Sequence, residues 1–285
     1  MRQLFFTLVL LLLVPLAMSE PLPMGATMEV HGISVMKKMP PPEDDNGVIY
    51  MTSVPEGTAV SLLIQVPEHS IIDLDETASK LSKFVDDKNT DLLKRNPQTG
   101  RAATGAMRDM TMGFLEQSPL RTNCISPSKK WIILDCVAPN QPTSGTQTVA
   151  LEGKIVLQCG KGTKTTEHKN ISLNGKGKFD VGEIRFNVEK AKESAGVWFG
   201  QEDEWKMQIS LLSNKSLDSI ISYTFLDAEG KEIKSKEFGW WGMGNQRTTN
   251  FSLAKEVDSV SIRVVEYETM ETVTLPFSLT VGLGL

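Results

Sequence analysis

Two stretches decide the fold class: Thr148–Gly160, TVALEGKIVLQCG, and Thr272–Gly284, TVTLPFSLTVGLG. Four of the thirteen positions are identical without a gap, and both keep apolar residues at alternate positions. A period of two sends successive side chains to opposite faces of an extended chain, so each stretch reads as β-structure with one face buried. A second echo lies further out. SKFVDDKNTDLL (82–93) is matched by SYTFLDAEGKEIK (222–234), with Phe84 against Phe225, Asp86 against Asp227, Asn89 against Gly230 and Leu92 against Ile233. Each reads as a strand, a tight turn with Asn or Gly where positive φ is tolerated, and a return strand.

These echoes predict an all-β chain of two tandem antiparallel β-sandwiches, related by internal duplication, each closing with the alternating strand pair. The expected boundaries are a first sandwich over 20–160 with a long loop at 94–120, a linker or hairpin over 161–182, and a second sandwich over 183–285. TAVSLLIQV (58–66) and WKMQISLL (205–212) read as the central strands of the two units, and MEVHGISVM (28–36) and EIRFNV (183–188) as their opening strands. The pair Thr122–Ile125 and Trp131–Val137 is expected to correspond to Thr249–Leu253 and Val260–Val265. Helical potential is confined to Asp73–Phe84, where Asp73 or Asp75 could cap a short helix, and to Glu189–Ser194. With no strand–helix alternation, α/β classes are excluded. In general architecture such units are similar to immunoglobulin-like or fibronectin-like sandwiches. They lack the Cys…Trp…Cys signature, so the resemblance implies a shape and no site residue or activity.

Residues 1–19 read as a secretory signal: Arg2, an apolar run from Leu4 to Leu13, Pro15, then Ala17-Met18-Ser19. Cleavage after Ser19 implies a secreted or periplasmic protein, and no later stretch approaches the ~20 apolar residues of a span. The formal net charge of −5 offers no basic stripe for phosphates, which argues against a nucleic-acid partner. Three cysteines, Cys124, Cys136 and Cys159, are compatible with one disulfide in an oxidising compartment. Cys124 and Cys136 flank a hairpin and form the favoured pair, while Cys159 aligns with Leu283 as a core position.

Signals for chemistry are few. Asp87, Asn89 and Asp91 have the alternate spacing that lets oxygens converge on calcium, but Leu92 and Gln98 stand where an EF-hand loop needs Gly and Glu. Turn chemistry explains the same residues. No nucleophile elbow, H-E-x-x-H, Walker loop or dinucleotide fingerprint occurs, and no cofactor is implied. The aromatic residues are more informative. Trp240 and Trp241 lie side by side in Gly239–Asn245, and Trp198 and Phe199 in Gly196–Gly200. Rigid rings among glycines suit stacking on a sugar face or anchoring a protein partner. The sequence therefore points to an exported, non-enzymatic binding or scaffolding protein. Its ligand would be a protein partner or a carbohydrate. The alternative is a secreted hydrolase with a site of scattered carboxylates in a groove between the units.

Overall fold

The computed structural model describes residues 22–36, 57–94, 118–174, 177–190 and 204–284. The signal segment 1–19 and nearly all of the loop 94–120 lie outside them. The fold is all-β, with antiparallel sheets, one 3-10 turn at Pro23–Gly25 and no α-helix among the described residues. Two compact units are formed, one from 1–158 with 272–285 and the other from 159–271.

Unit 1 contains β1 (Thr27–Met36), β2 (Gly57–Gln65), β3 (Ser70–Leu74), β4 (Lys80–Asp86), β5 (Leu120–Ile125), β6 (Trp131–Ala138) and most of β7 (Thr148–Lys161). One sheet runs β1-β2-β6-β5. The alternation in TAVSLLIQV places Val60, Leu62 and Ile64 wholly inside, and β6 buries Ile132, Leu134 and Cys136 in the same rhythm. Each such side chain contributes about 1.5–3 kcal/mol of burial.

Unit 2 contains β8 (Lys164–Ser172), β9 (Gly177–Val181), β10 (Ile184–Lys190), β11 (Met207–Ser213), β12 (Ile220–Leu226), β13 (Glu232–Ile233), β14 (Ser235–Met243), β15 (Gln246–Leu253) and β16 (Ser259–Glu266). Its sheets run β14-β15-β11-β10-β9 and β13-β12-β16-β8. They enclose one apolar core in which Phe179 stacks on Phe186 at 4.6 Å and Phe225 meets Phe251 edge-on at 5.0 Å.

The last strand, β17 (Thr269–Gly282), returns to unit 1, where the second sheet runs β17-β7-β3 with β4 also on β7. The stretches 148–160 and 272–284 are therefore neighbours in one sheet, not equivalent strands of two units. Both alternate because both cover the same core. Gly153 of β7 allows their close approach: a Cβ there would lie 2.4 Å from the Lys80 carbonyl oxygen and 2.9 Å from the Phe277 ring. Pro276 is tolerated because β17 ends its sheet.

Comparing positions within the sheets, β1-β2-β6-β5 of unit 1 has the order of β10-β11-β15-β14 in unit 2, and β7 is placed like β16. The expected match of β5 and β6 with β15 and β16 is thus one strand out of step. The stretch 161–182, read as a linker or hairpin, forms β8 and β9, and β8 takes the place beside β16 that β17 takes beside β7. Helix is also absent from 73–84. Asp75 does accept from the backbone N–H of Thr77 and Ala78, at 3.1 and 2.9 Å, but the chain turns straight into β4.

The cysteines form no disulfide. On the β5–β6 ladder Cys124 lies opposite Ile133, and Cys136 opposite Leu120. At roughly 3.3 Å per residue, that offset exceeds the ~7 Å over which two Cα atoms can be bridged. Cys136 and Cys159 are buried core thiols. Burial, with the Asp135 charge, pushes Cys136 up to about 12, and burial with the Glu271 charge pushes Cys159 up to about 11. Cys124 is exposed.

Candidate functional site

The aromatic pair sits on β14, the last strand of the five-stranded sheet of unit 2, hydrogen-bonded to β15 alone among the described residues. Trp240 lies opposite Thr249 and Trp241 opposite Thr248, so as adjacent residues of one strand they leave opposite faces. Neither ring is covered: Trp240 is 62% and Trp241 60% exposed, and Phe238 beside them is 46% exposed. A register shift between Glu237 and Gly239 bulges the strand just before the pair. Trp198 and Phe199 lie outside the described residues.

The inner face of β15 changes character along its length. Leu253 and Phe251 belong to the core, and the next inward positions are Thr249 and Arg247. The Arg247 guanidinium lies 4.4 Å from the centre of the Trp240 ring, a cation–π contact. From the facing sheet, Tyr223 of β12 packs edge-on against Phe251 at 5.6 Å and Phe186 at 6.1 Å. Burial raises the Tyr223 hydroxyl above its ordinary value; the Arg247 charge opposes the shift and Glu237 adds to it. Three side-chain atoms in this region are buried without a hydrogen-bond partner among the described residues: Tyr223 OH, Arg247 Nε and Thr249 Oγ1. None of the three residues stands out in the sequence: alternation puts Arg247, Thr249 and Phe251 on one face of a strand, but their place beside Trp240 and Tyr223 comes from the pairing of β14 with β15 and the packing of β12.

Asp87, Asn89 and Asp91 fall in and beside the turn after β4, where they meet backbone groups. Asp87 Oδ2 accepts from the N–H of Gln147 at 2.7 Å and Thr148 at 3.2 Å, Asp91 Oδ1 accepts from Leu93 N–H at 3.0 Å, and Asn89 takes φ 62°. Among the described residues no three His, Cys, Asp or Glu side chains gather as a metal site would require. His31 lies on β1 and is exposed. His69 is buried in the turn after β2, its Nδ1 2.9 Å from the Pro67 carbonyl. His168 of β8 lies against Phe179 at 4.8 Å; burial lowers its pKa, against the charges of Asp180 and Glu266.

Unit 2 also carries a depression of about 500 Å³, whose charged lining is Glu183, Lys215 and Glu266. Its two acids face lysines: Glu183 pairs with Lys215 at 2.5 Å, and Glu266 with Lys164 at 3.4 Å. Lys215 holds the Glu183 carboxyl below its usual range. Glu183, so paired, is a poor proton donor near neutral pH. No protein-family model, curated protein or solved structure matches the chain.

Proposed function

We propose that this is an exported, non-enzymatic binding protein that takes a carbohydrate or a protein partner on the aromatic edge of its second unit. One observation carries the reading: three large rings, Phe238, Trp240 and Trp241, stand exposed within four residues of an end strand. Proteins ordinarily blunt such edges with short strands, charges or proline, because a bare edge invites association. Exposed rings held on a sheet match the rigid anchors that dominate binding surfaces. Export rests on the 1–19 segment. The shared strand order supports a further part of the reading, that the units are immunoglobulin- or fibronectin-like sandwiches related by duplication.

The test is crosslinked capture from the exported fraction of the protein's own cells, with Trp240→Ala, Trp241→Ala and the double variant in parallel. Capture of a defined protein or glycan is expected, lost in the double variant while far-UV circular dichroism and Tm are retained. If every detected interaction survives the double substitution in a folded protein, the aromatic edge is not the binding surface.

A further inference from the structure

We infer that the aromatic edge holds a subsite for a carboxylate, and that the ligand is an acidic sugar whose ring stacks on Trp240 while its carboxylate meets Arg247 and Tyr223. The inference rests on the binding role proposed above and names its ligand class. Buried polar atoms in folded proteins are almost always hydrogen-bonded, and each left alone costs stability. Here three lack a partner among the described residues, and register and charge place them together. Arg247 and Thr249 are successive inward positions of β15, Trp240 is opposite Thr249, and the Arg247 charge acts on the Tyr223 hydroxyl. Thr249 is wholly interior.

Arg247 Nε–H can only donate, Tyr223 stays protonated and can donate, and the Thr249 hydroxyl can do either. A set biased to donors and carrying a fixed positive charge calls for an oxygen acceptor, best satisfied by a carboxylate. The Glu237 charge on β14 also acts on Tyr223, so one positive charge is set beside one negative charge, and a ligand with a single carboxylate suits the edge better than a dense polyanion. The cation–π contact uses one face of Trp240, and its 62% exposure leaves surface for a sugar ring. Gly239, with nothing within 4 Å of where a Cβ would stand, puts no side chain beside that ring.

The experiment is calorimetric titration of the full chain with a neutral oligosaccharide carrying one hexuronate residue and with its carboxyl-reduced, wholly neutral counterpart. The acidic sugar is expected to bind about tenfold to hundredfold more tightly, the worth of a charge-assisted hydrogen bond. Arg247→Lys, which keeps the charge and loses Nε, and Tyr223→Phe should each remove most of that preference, so that each variant binds the acidic and the neutral sugar with nearly equal affinity. Far-UV circular dichroism and Tm show that the variants are folded. Trp240→Ala should weaken both sugars. Equal affinity for the two sugars overturns the carboxylate subsite and leaves the binding role standing. So does Tyr223→Phe with raised Tm and unchanged acidic-sugar affinity, since the hydroxyl is then a buried group that no ligand meets and whose loss only relieves its desolvation cost. If neither sugar binds and a protein is captured through the tryptophans, the acidic-sugar inference fails while the aromatic edge survives. If nothing binds through the tryptophans, both fail.

Discussion

In the turn after β4, Asp86 Oδ1 accepts from the N–H of Lys88 at 3.0 Å and of Thr90 at 2.7 Å. In the turn after β12, Asp227 Oδ1 accepts from the N–H of Glu229 at 3.1 Å and of Lys231 at 2.9 Å. Backbone bonds repeat as well: Asn89 N–H to the Asp86 carbonyl at 3.0 Å, and Gly230 N–H to the Asp227 carbonyl at 2.9 Å. The residues before each turn, Phe84 and Phe225, are fully buried. What differs is the second carboxylate oxygen. Asp86 Oδ2 accepts from Thr143 N–H at 2.8 Å and the Thr146 hydroxyl at 3.3 Å, whereas Asp227 Oδ2 meets the Lys255 ammonium at 2.7 Å. One turn is latched by neutral donors from a distant segment, the other by a lysine. The local sequence specifies the turn, and each unit supplies its own anchor.

The units differ most in what closes their second sheets, and that comparison breaks with the largest effect. Unit 1 takes β17 from the C-terminus, while unit 2 takes β8 from the stretch after β7. Deleting 272–285 removes Val273, Leu275, Phe277, Val281 and Leu283 from unit 1, all buried. At about 1.5–3 kcal/mol for each buried side chain the loss rivals the whole ~5–15 kcal/mol stability of a domain. Unit 1 should lose its cooperative fold and unit 2 keep its own. Hydrogen exchange read by mass spectrometry would show protection vanish from β2 and β6 and persist in β11 and β16. Retained protection in unit 1 would mean that β17 is dispensable.

Next comes the carboxylate. Asp86→Ala strands the N–H groups of Lys88, Thr90 and Thr143 and should cost about 2–4 kcal/mol, read as a shifted urea midpoint for unit 1. Asp227→Ala should cost less, because its Lys255 partner is half exposed and returns to water. Salt separates the two: 1 M NaCl should erode the Asp227 contribution and leave that of Asp86 unchanged. Acid should not separate them. Burial pushes Asp86 up, but hydrogen bonds from Thr143, Thr90 and Lys88 outweigh it and hold the carboxyl below its usual range; the Lys255 ammonium does the same for Asp227. With folded-state values depressed, the unfolded chain binds more protons, so both contributions are complete above about pH 4 and decline as the pH falls further. A midpoint unchanged between pH 7 and pH 3 in wild type but not in Asp86→Ala would contradict this.

The period-two alternation carried the fold class, the central strands β2 and β11 and the turn equivalence down to Phe84/Phe225 and Leu92/Ile233. It could not tell which unit a strand joins, because alternation records a buried face and not the neighbour along the ladder. That is why β17, which in sequence follows the second unit, belongs to the first, and why the expected β5 and β6 matches fall one strand out of step. β8 falls in the stretch that reads as a linker or hairpin, since an end strand with one buried residue, Ile171, has the composition of a solvated segment. The cysteine pairing failed on register, which spacing in sequence does not reveal. At the candidate site the tryptophans were legible as rings among glycines. Arg247, Thr249 and Tyr223 were not, since only the pairing of β14 with β15 and the facing of two sheets bring them together.

The smallest effect tests why Asn89 and Gly230 occupy the same position. Both have positive φ, 62° and 77°, a region L-residues enter at a cost of about 1 kcal/mol, least for Asn and none for Gly. A Cβ at residue 230 would have nothing within 4 Å, so substitution there meets no obstruction and any loss is conformational. Gly230→Ala should therefore lower stability by about 1 kcal/mol, while Gly230→Asn, which recreates the residue of the first turn, should stay within about 0.5 kcal/mol of wild type. Asn89→Gly should be similarly mild, since relief of strain is offset by the greater freedom of the unfolded chain. Matched chemical melts of the three variants decide it. If Gly230→Ala proves as mild as Gly230→Asn, positive φ is not what selects the residue, and the likeness of the turns lies in the aspartates alone.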